Sequence, residues 1–198
     1  MWGLVEDNVI TKIINQPKGM VIGDTRHSRK IFSLWSEAEL NNVGLYSVVF
    51  DNTNKKDEAY YTNTDVSYNF AAGAVTASYG SPTAKALADT LFTAQDEIDG
   101  KGTEGEVAVR GLKTKHKEII KRQASGLLAP TDWYVIKATD VAEYNVPSAV
   151  STFRANVRTR SNEMETAIDN ANDVDALAAL YVYTDGSRPL GEFPTLEN

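Results

Sequence analysis

The sequence predicts an α+β protein, an N-terminal small antiparallel β-rich module followed by a C-terminal antiparallel helical region, from three observations. Short runs of β-branched and aromatic residues, parted by turn residues, fill roughly the first eighty positions. At Gly80-Ser81-Pro82 the pattern changes, and apolar residues recur from there at spacings of three and four. The 198 residues, 42% apolar and 24% charged, suffice for one ordinary domain or two small ones and exclude a disordered chain. The expected division is residues 1–80 as the β-rich module with one short helix, 81–184 as the helical region and 185–198 as a tail, extended or loosely docked.

Within the first module, residues 2–6 and 9–15 flank Asp7-Asn8, a pair able to form a tight hairpin turn. Pro17-Lys18-Gly19 ends that hairpin. Ser36-Glu37-Ala38-Glu39 is a capping-box pattern, in which Ser36 and Glu39 satisfy each other's free backbone amides. Leu40 and Val43 give the helix an apolar side, and Gly44 stops it in the left-handed conformation. Residues 45–50 form a strand, Asp51-Asn52-Thr53-Asn54-Lys55-Lys56 a polar loop, and 58–63, 66–71 and 74–79 three further strands, the last two joined through Gly73.

Four helices are expected beyond, at about 82–98, 104–128, 147–169 and 173–181. The first has Ser81 as N-cap, Pro82 at its first position and Ala84, Leu87, Leu91, Ala94 and Ile98 as its stripe. Asp99-Gly100-Lys101-Gly102 breaks it. In the second, Val109, Leu112, His116, Ile119 and Gln123 form a heptad-like seam, stopped by Pro130. The third, after Pro147, carries Val150, Phe153, Val157 and Met164 on one face. The fourth is capped by Asn172, with Val174, Leu177 and Leu180 as its buried side.

Nothing in the sequence marks catalysis. The chain has no cysteine, which excludes disulfides, thiol nucleophiles and thiolate metal sites. His27 lies in a polar segment without a nucleophile-elbow motif, and His116 lacks a histidine or glutamate at metal-ligand spacing. Glu163 and Glu165, like Asp173 and Asp175, are two apart on a helix and splay. Gly100-Lys101-Gly102-Thr103 is a fragment of a phosphate-binding loop, for which helix-break glycines are the better account. No catalytic residue, metal site or cofactor is therefore expected.

A net charge of −7 disfavours a nucleic-acid or anionic-membrane partner for the whole molecule. Locally, Arg110, Lys113, Lys115, Lys117, Lys121 and Arg122 stand against Glu118 alone. That helix either contacts phosphates or, as expected here, pairs with an acidic neighbour in the 163–175 region, since no aromatic residues interleave to stack on bases. Charged residues interrupt any apolar leader in residues 1–22, and no window nears the about eighteen apolar residues of a membrane span, so synthesis and folding in a cytosol, without a membrane, are expected. Trp133 and Tyr134 begin a short apolar segment after Pro130. There Trp133 serves either as a buried anchor of the helix corner, the leading expectation, or as a hot spot for a partner chain.

The segment Arg122-Gln123-Ala124-Ser125-Gly126-Leu127-Leu128-Ala129-Pro130-Thr131-Asp132-Trp133, followed by Val146-Pro147 and Phe153-Arg154-Ala155-Asn156-Val157-Arg158, resembles the C-terminal segment of tailed-phage tail assembly chaperones and tail-fibre assembly proteins. In that group a helix ending in Leu-Leu-x-x-Thr-Asp-Trp precedes one with a Tyr/Phe-Arg-x-x-x-Arg pattern. The resemblance covers roughly residues 118–180, and residues 31–35, 37–40 and 44–48 resemble the small β modules that precede the segment. A longer helical region between the halves and an extra helix after Asp169 depart from the group.

The resemblance implies a non-enzymatic protein that binds another tail protein as a fibre assembly chaperone, in the host cytoplasm during assembly. Its alternative is a retained virion structural protein of the tail, baseplate or fibre attachment. A nucleic-acid-binding module using helix 110–122 is a further alternative. Trp133, Tyr134, Phe153, Arg154 and Arg158 are expected to frame the docking corner for a tail-fibre or other tail protein. Polar positions in the helical seam also suit a homo-oligomer.

Overall fold

In the computed structural model, which describes residues 1–196, the chain divides into two compact units, Met1–Thr83 and Ala84–Asn198. The first is β-rich and the second helical, an α+β chain.

The N-terminal unit is built on a five-stranded sheet of order β2-β1-β5-β8-β7. Strands β1 (Trp2–Glu6) and β2 (Val9–Ile14) pair antiparallel through Asp7 and Asn8, whose φ of 51° and 63° are those of a tight hairpin turn. A separate ribbon, β3 (Met20–Ile22) and β4 (Thr25–His27), sends Met20 into the core. A short α1 (Ile31–Leu34) then leads to α2 (Glu37–Asn42). The Ser36 hydroxyl accepts from the Glu39 amide, and the Ser36 amide donates to Glu39 Oε2 at 2.7 Å, closing the capping box. Gly44, at φ +83°, turns the chain into β5 (Leu45–Asp51). A Cβ there would lie 2.5 Å from the Val5 carbonyl oxygen, so strand β1 packs against bare backbone.

Beyond β5 the sheet departs from an all-antiparallel one. After the short β6 (Tyr61–Thr62), the hairpin of β7 (Val66–Ala71) and β8 (Ala74–Tyr79) sets its second strand parallel to β5, with Val48 opposite Val75. Burial decides which strand is central: Val75 and Ala77 of β8 are fully enclosed, whereas β7 alternates half-buried and exposed and suits an edge. Leu4, Ile14, Met20, Ile31, Leu40 and Leu45 form the core, flanked by Trp2 and Phe32 with ring centroids 4.7 Å apart. His27 packs edge-on against Trp35, a structural place.

In the C-terminal unit the expected helix over 82–98 is not formed. The short β9 (Thr83–Ala84) closes the first unit, β10 (Thr90–Leu91) follows, and only α3 (Ala94–Ile98) is helical. The reason lies at the start of α4 (Leu112–Leu128), whose amides have no partners within the helix. The amides of Leu112 and Lys113 donate to the carbonyls of Ala86 and Leu87, and Asp89 accepts from the Gly111 amide at 2.7 Å and the Thr114 hydroxyl at 2.9 Å. Residues 86–89 are committed to capping and cannot coil. These bonds, the Gly111 amide first, hold the Asp89 carboxyl below its ordinary range. The second helix likewise starts later than residue 104, because Val107–Val109 pairs with β10 as β11.

Helix α4 ends at Leu128, just before Pro130, as expected, but a single 3₁₀ turn, Ala129–Thr131, carries the chain into α5 (Asp132–Asp140), where a connecting segment was expected. Helix α6 (Ser148–Asn170) follows Pro147, and α7 (Val174–Ala179) is capped by Asp173 rather than Asn172, its carboxylate accepting from the Ala176 amide at 2.7 Å. Helices α4 and α6 lie antiparallel: Lys117 meets Asp169, Lys121 meets Glu165, and Leu128 meets Arg154. The expected seam holds at Leu112, which is buried, and slips by one residue farther along, where Ile120 is 1% exposed and Ile119 42%. Ala124 packs there with Phe153 and Val157 of α6. Burying each such aliphatic side chain contributes about 1.5–3 kcal/mol. The tail, too, is firmly docked: Leu190 is buried, its amide donates to the Leu180 carbonyl, and Arg160 donates to the carbonyls of Leu190 and Glu192.

Candidate partner-binding site

The five residues expected to frame a docking corner have two different places. Phe153 belongs to the interior, packed with Ala124, Val157, Leu127, Leu128 and Phe193. Arg154, 8% exposed, is buried beneath the corner. Its Nη1 donates to the Leu128 carbonyl at 2.9 Å and the Thr131 hydroxyl at 2.6 Å, and pairs with Asp132 at 2.8 Å. Thr131 in turn donates to the Leu128 carbonyl at 2.7 Å. One guanidinium thus gathers the free carbonyl end of α4, the 3₁₀ turn and the first residue of α5. The Thr-Asp pair holds Arg154, and Arg154 holds the bend.

Trp133 and Arg158 lie at the surface, and Tyr134 is half-buried. Trp133 is 51% exposed, so it is not the buried anchor that was the leading expectation; Arg154 takes that part. The Trp133 and Tyr134 rings stack at 3.8 Å, Lys137 lies over the Trp133 ring, and Tyr144 takes the same ammonium at 4.3 Å. Val135 and Ile136, which complete the short apolar segment, are exposed, Ile136 at 60%, and so is Val141, which sequence reasoning did not single out. Helix α5 buries none of its nine residues. The signal that could have found it was the stretch from Asp132 to Val146, which holds neither glycine nor proline and begins with an acidic first-turn residue.

Electrostatics around α4 are mostly settled within the chain. Lys117 pairs with Asp169 at 2.8 Å, Lys121 with Glu165 at 3.3 Å and Arg110 with Glu118 at 2.8 Å, while Lys113 donates to the Asp169 carbonyl. Arg110 precedes the helix rather than lying on it. His116 is half-buried with its Nδ1 2.7 Å from the Tyr181 hydroxyl, and burial pushes its pKa below the ordinary value. Lys101 of the glycine-flanked segment pairs with Asp96 and Asp99 at the two ends of α3. Asp51 accepts from the amide and hydroxyl of Thr53, a side-chain turn. Among the described residues no group of three or more histidines and carboxylates is placed to hold a metal ion, and no helix is long and apolar enough to cross a membrane.

No family model matches the chain, and neither does any curated protein or solved structure.

Proposed function

We propose that this chain is a non-enzymatic phage tail protein that binds a tail-fibre or other tail polypeptide, acting as a fibre assembly chaperone, with α5 as the docking element. The observation that carries the proposal is a helix of nine residues with no buried side chain, presenting Trp133, Val135 and Ile136 to solvent. An isolated helix shorter than about 12–15 residues is marginal in water, and most helices are stabilised by an apolar face packed on a core. Here the helix is fastened at its start, through Asp132 to Arg154, and leaves its apolar side free. Exposed aromatic residues set on a fixed support are the composition of a binding hot spot. The resemblance of the Thr131-Asp132-Trp133 corner to tail-fibre assembly proteins supplies the kind of partner.

Coexpression of the Trp133→Ala chain with the adjacent fibre gene tests the proposal. Loss of soluble trimeric fibre, with the helical content of the variant unchanged, is the expected result; unchanged yield of soluble trimer counts against docking at α5. Mass spectrometry of purified virions separates the chaperone from a retained tail component, since a chaperone is absent from them.

A further inference from the structure

Between α4 and α6 runs an open groove of about 430 Å³, lined by Lys121, Ser125, Arg154, Arg158, Ser161 and Asn162, with Asp132 at one end. Its cations are unevenly used. Lys121 is paired with Glu165. Arg154 directs Nη1 at three acceptors, and among the described residues no hydrogen bond engages its Nη2 or Nε. Neither nitrogen is a fully enclosed atom without a partner, and the side chain is 10% exposed along the groove. Arg158 is exposed, its one hydrogen bond being a long donation of 3.5 Å to the Arg154 carbonyl, and no described carboxylate pairs with it. Two guanidinium groups one helical turn apart therefore offer free, planar donors to one groove, where Ser125 and Asn162 add neutral ones.

We infer that this groove is a carboxylate-binding site that takes an acidic side chain of the partner polypeptide; the inference rests on α5 being a docking element. Guanidinium forks bind a carboxylate or a phosphate in bidentate geometry. Two features favour a carboxylate over a phosphate chain. Asp132 and the Lys121-bound Glu165 leave only a modest local excess of positive charge, enough for one anion and adverse to a string of them. The neighbouring Trp133 and Tyr134 rings stack on each other, and Val135 and Ile136 beside them suit a polypeptide rather than bases. Asp132 joins the two features: it lines the groove, and the next residue is the exposed Trp133. A partner segment pairing an acidic residue with an apolar one would engage both.

The test uses the full chain, with arginine Nε–Hε and backbone amide resonances as the readout, and three probes: acetyl-Glu-Glu-amide, acetyl-Gln-Gln-amide and inorganic phosphate. The diglutamate peptide is expected to move the Arg158 Nε–Hε signal and the Ser161 and Asn162 amides saturably, and the diglutamine peptide to leave them in place. Arg158→Gln, a surface change, should weaken diglutamate binding about tenfold, and Lys115→Gln on the exposed side of α4 should not. Equal responses to the two peptides, insensitivity to Arg158→Gln, or phosphate binding tighter than diglutamate would each overturn the inference. Because no fibre protein enters this measurement, a groove that binds diglutamate while Trp133→Ala leaves fibre assembly intact refutes the chaperone proposal alone. Failure to bind, with Trp133→Ala abolishing assembly, refutes the groove alone.

Discussion

Replacing Arg154 by methionine keeps most of the side chain's length and apolar stem while deleting the guanidinium that gathers three acceptors at the α4–α5 corner. Two of those acceptors, the half-buried Leu128 carbonyl and the buried Thr131 hydroxyl, are shielded from solvent in part or in full, and each hydrogen bond from a charged donor contributes about 1.5 kcal/mol. The third, Asp132, has a half-exposed side chain, so its ion pair adds at most about 1 kcal/mol. Leu128 keeps the Thr131 donor after the change, which limits the damage to that carbonyl. The expected loss is about 3 kcal/mol. Urea unfolding followed by ellipticity at 222 nm reports the helical unit, and with a slope of about 2 kcal/mol per molar the midpoint should fall by about 1.5 M. Asp132→Asn, which loses only the half-exposed ion pair, should cost less than about 1 kcal/mol. A midpoint shift for Arg154→Met below about 0.3 M, at unchanged slope, would show that the guanidinium does not hold the corner.

Other expectations concern the caps and the buried imidazole. Gly44→Ala places a methyl 2.5 Å from the Val5 carbonyl oxygen at φ +83°, and should destabilise the β-rich unit by about 2–4 kcal/mol in urea unfolding; a change under about 0.5 kcal/mol would mean that β1 yields at no cost. Bonds from the Thr93 amide, then its hydroxyl, then Lys101 hold Asp96 at about 2, below the ordinary 3.8. The cap of α3 is therefore fully present above pH 3.8 and lost as pH falls through about 2, and Thr93→Ala should raise the Asp96 midpoint seen by carboxyl NMR. Burial lowers the His116 pKa, so the folded state favours the neutral ring: stability is full above pH 6.5 and declines as pH falls from there through the folded pKa. His116→Gln should flatten that decline, and an unchanged pH profile would place its origin elsewhere.

Local chemistry was legible where a few adjacent residues determine the outcome. Asp7-Asn8, the Ser36–Glu39 box and the Gly44 stop were readable because their bonds close within about one turn of chain. Long-range demands were not. Residues 82–98 have the period of a helix, but the free amides at the start of α4 engage the 86–89 backbone in a non-helical turn, a requirement written some twenty-five positions downstream. The buried line of α4 was missed by one residue because Ile119 and Ile120 are indistinguishable until α6 is in place. At the candidate site, Trp133 was noticed as an aromatic residue and Arg154 as part of a motif. Which of them is the anchor depends on Arg154 reaching back twenty-six residues to Leu128. Helix α5 itself was hidden by Pro130, which a 3₁₀ turn accommodates.

The parallel pairing of β8 with β5 bears on how the chain is made. During synthesis the β1–β2 hairpin and β5 leave the ribosome first, yet β5 has a partner on one edge only until Ala74–Tyr79 has emerged. For that interval the nascent sheet offers an open strand containing Val48, Val49 and Phe50, an edge of the kind on which other strands add. The turn that closes β7 on β8, with Ala72 and Gly73 both at positive φ, then governs how long the exposure lasts. Substitutions that slow this turn should show first as insoluble product at high expression rates, before any change in the stability of the finished protein.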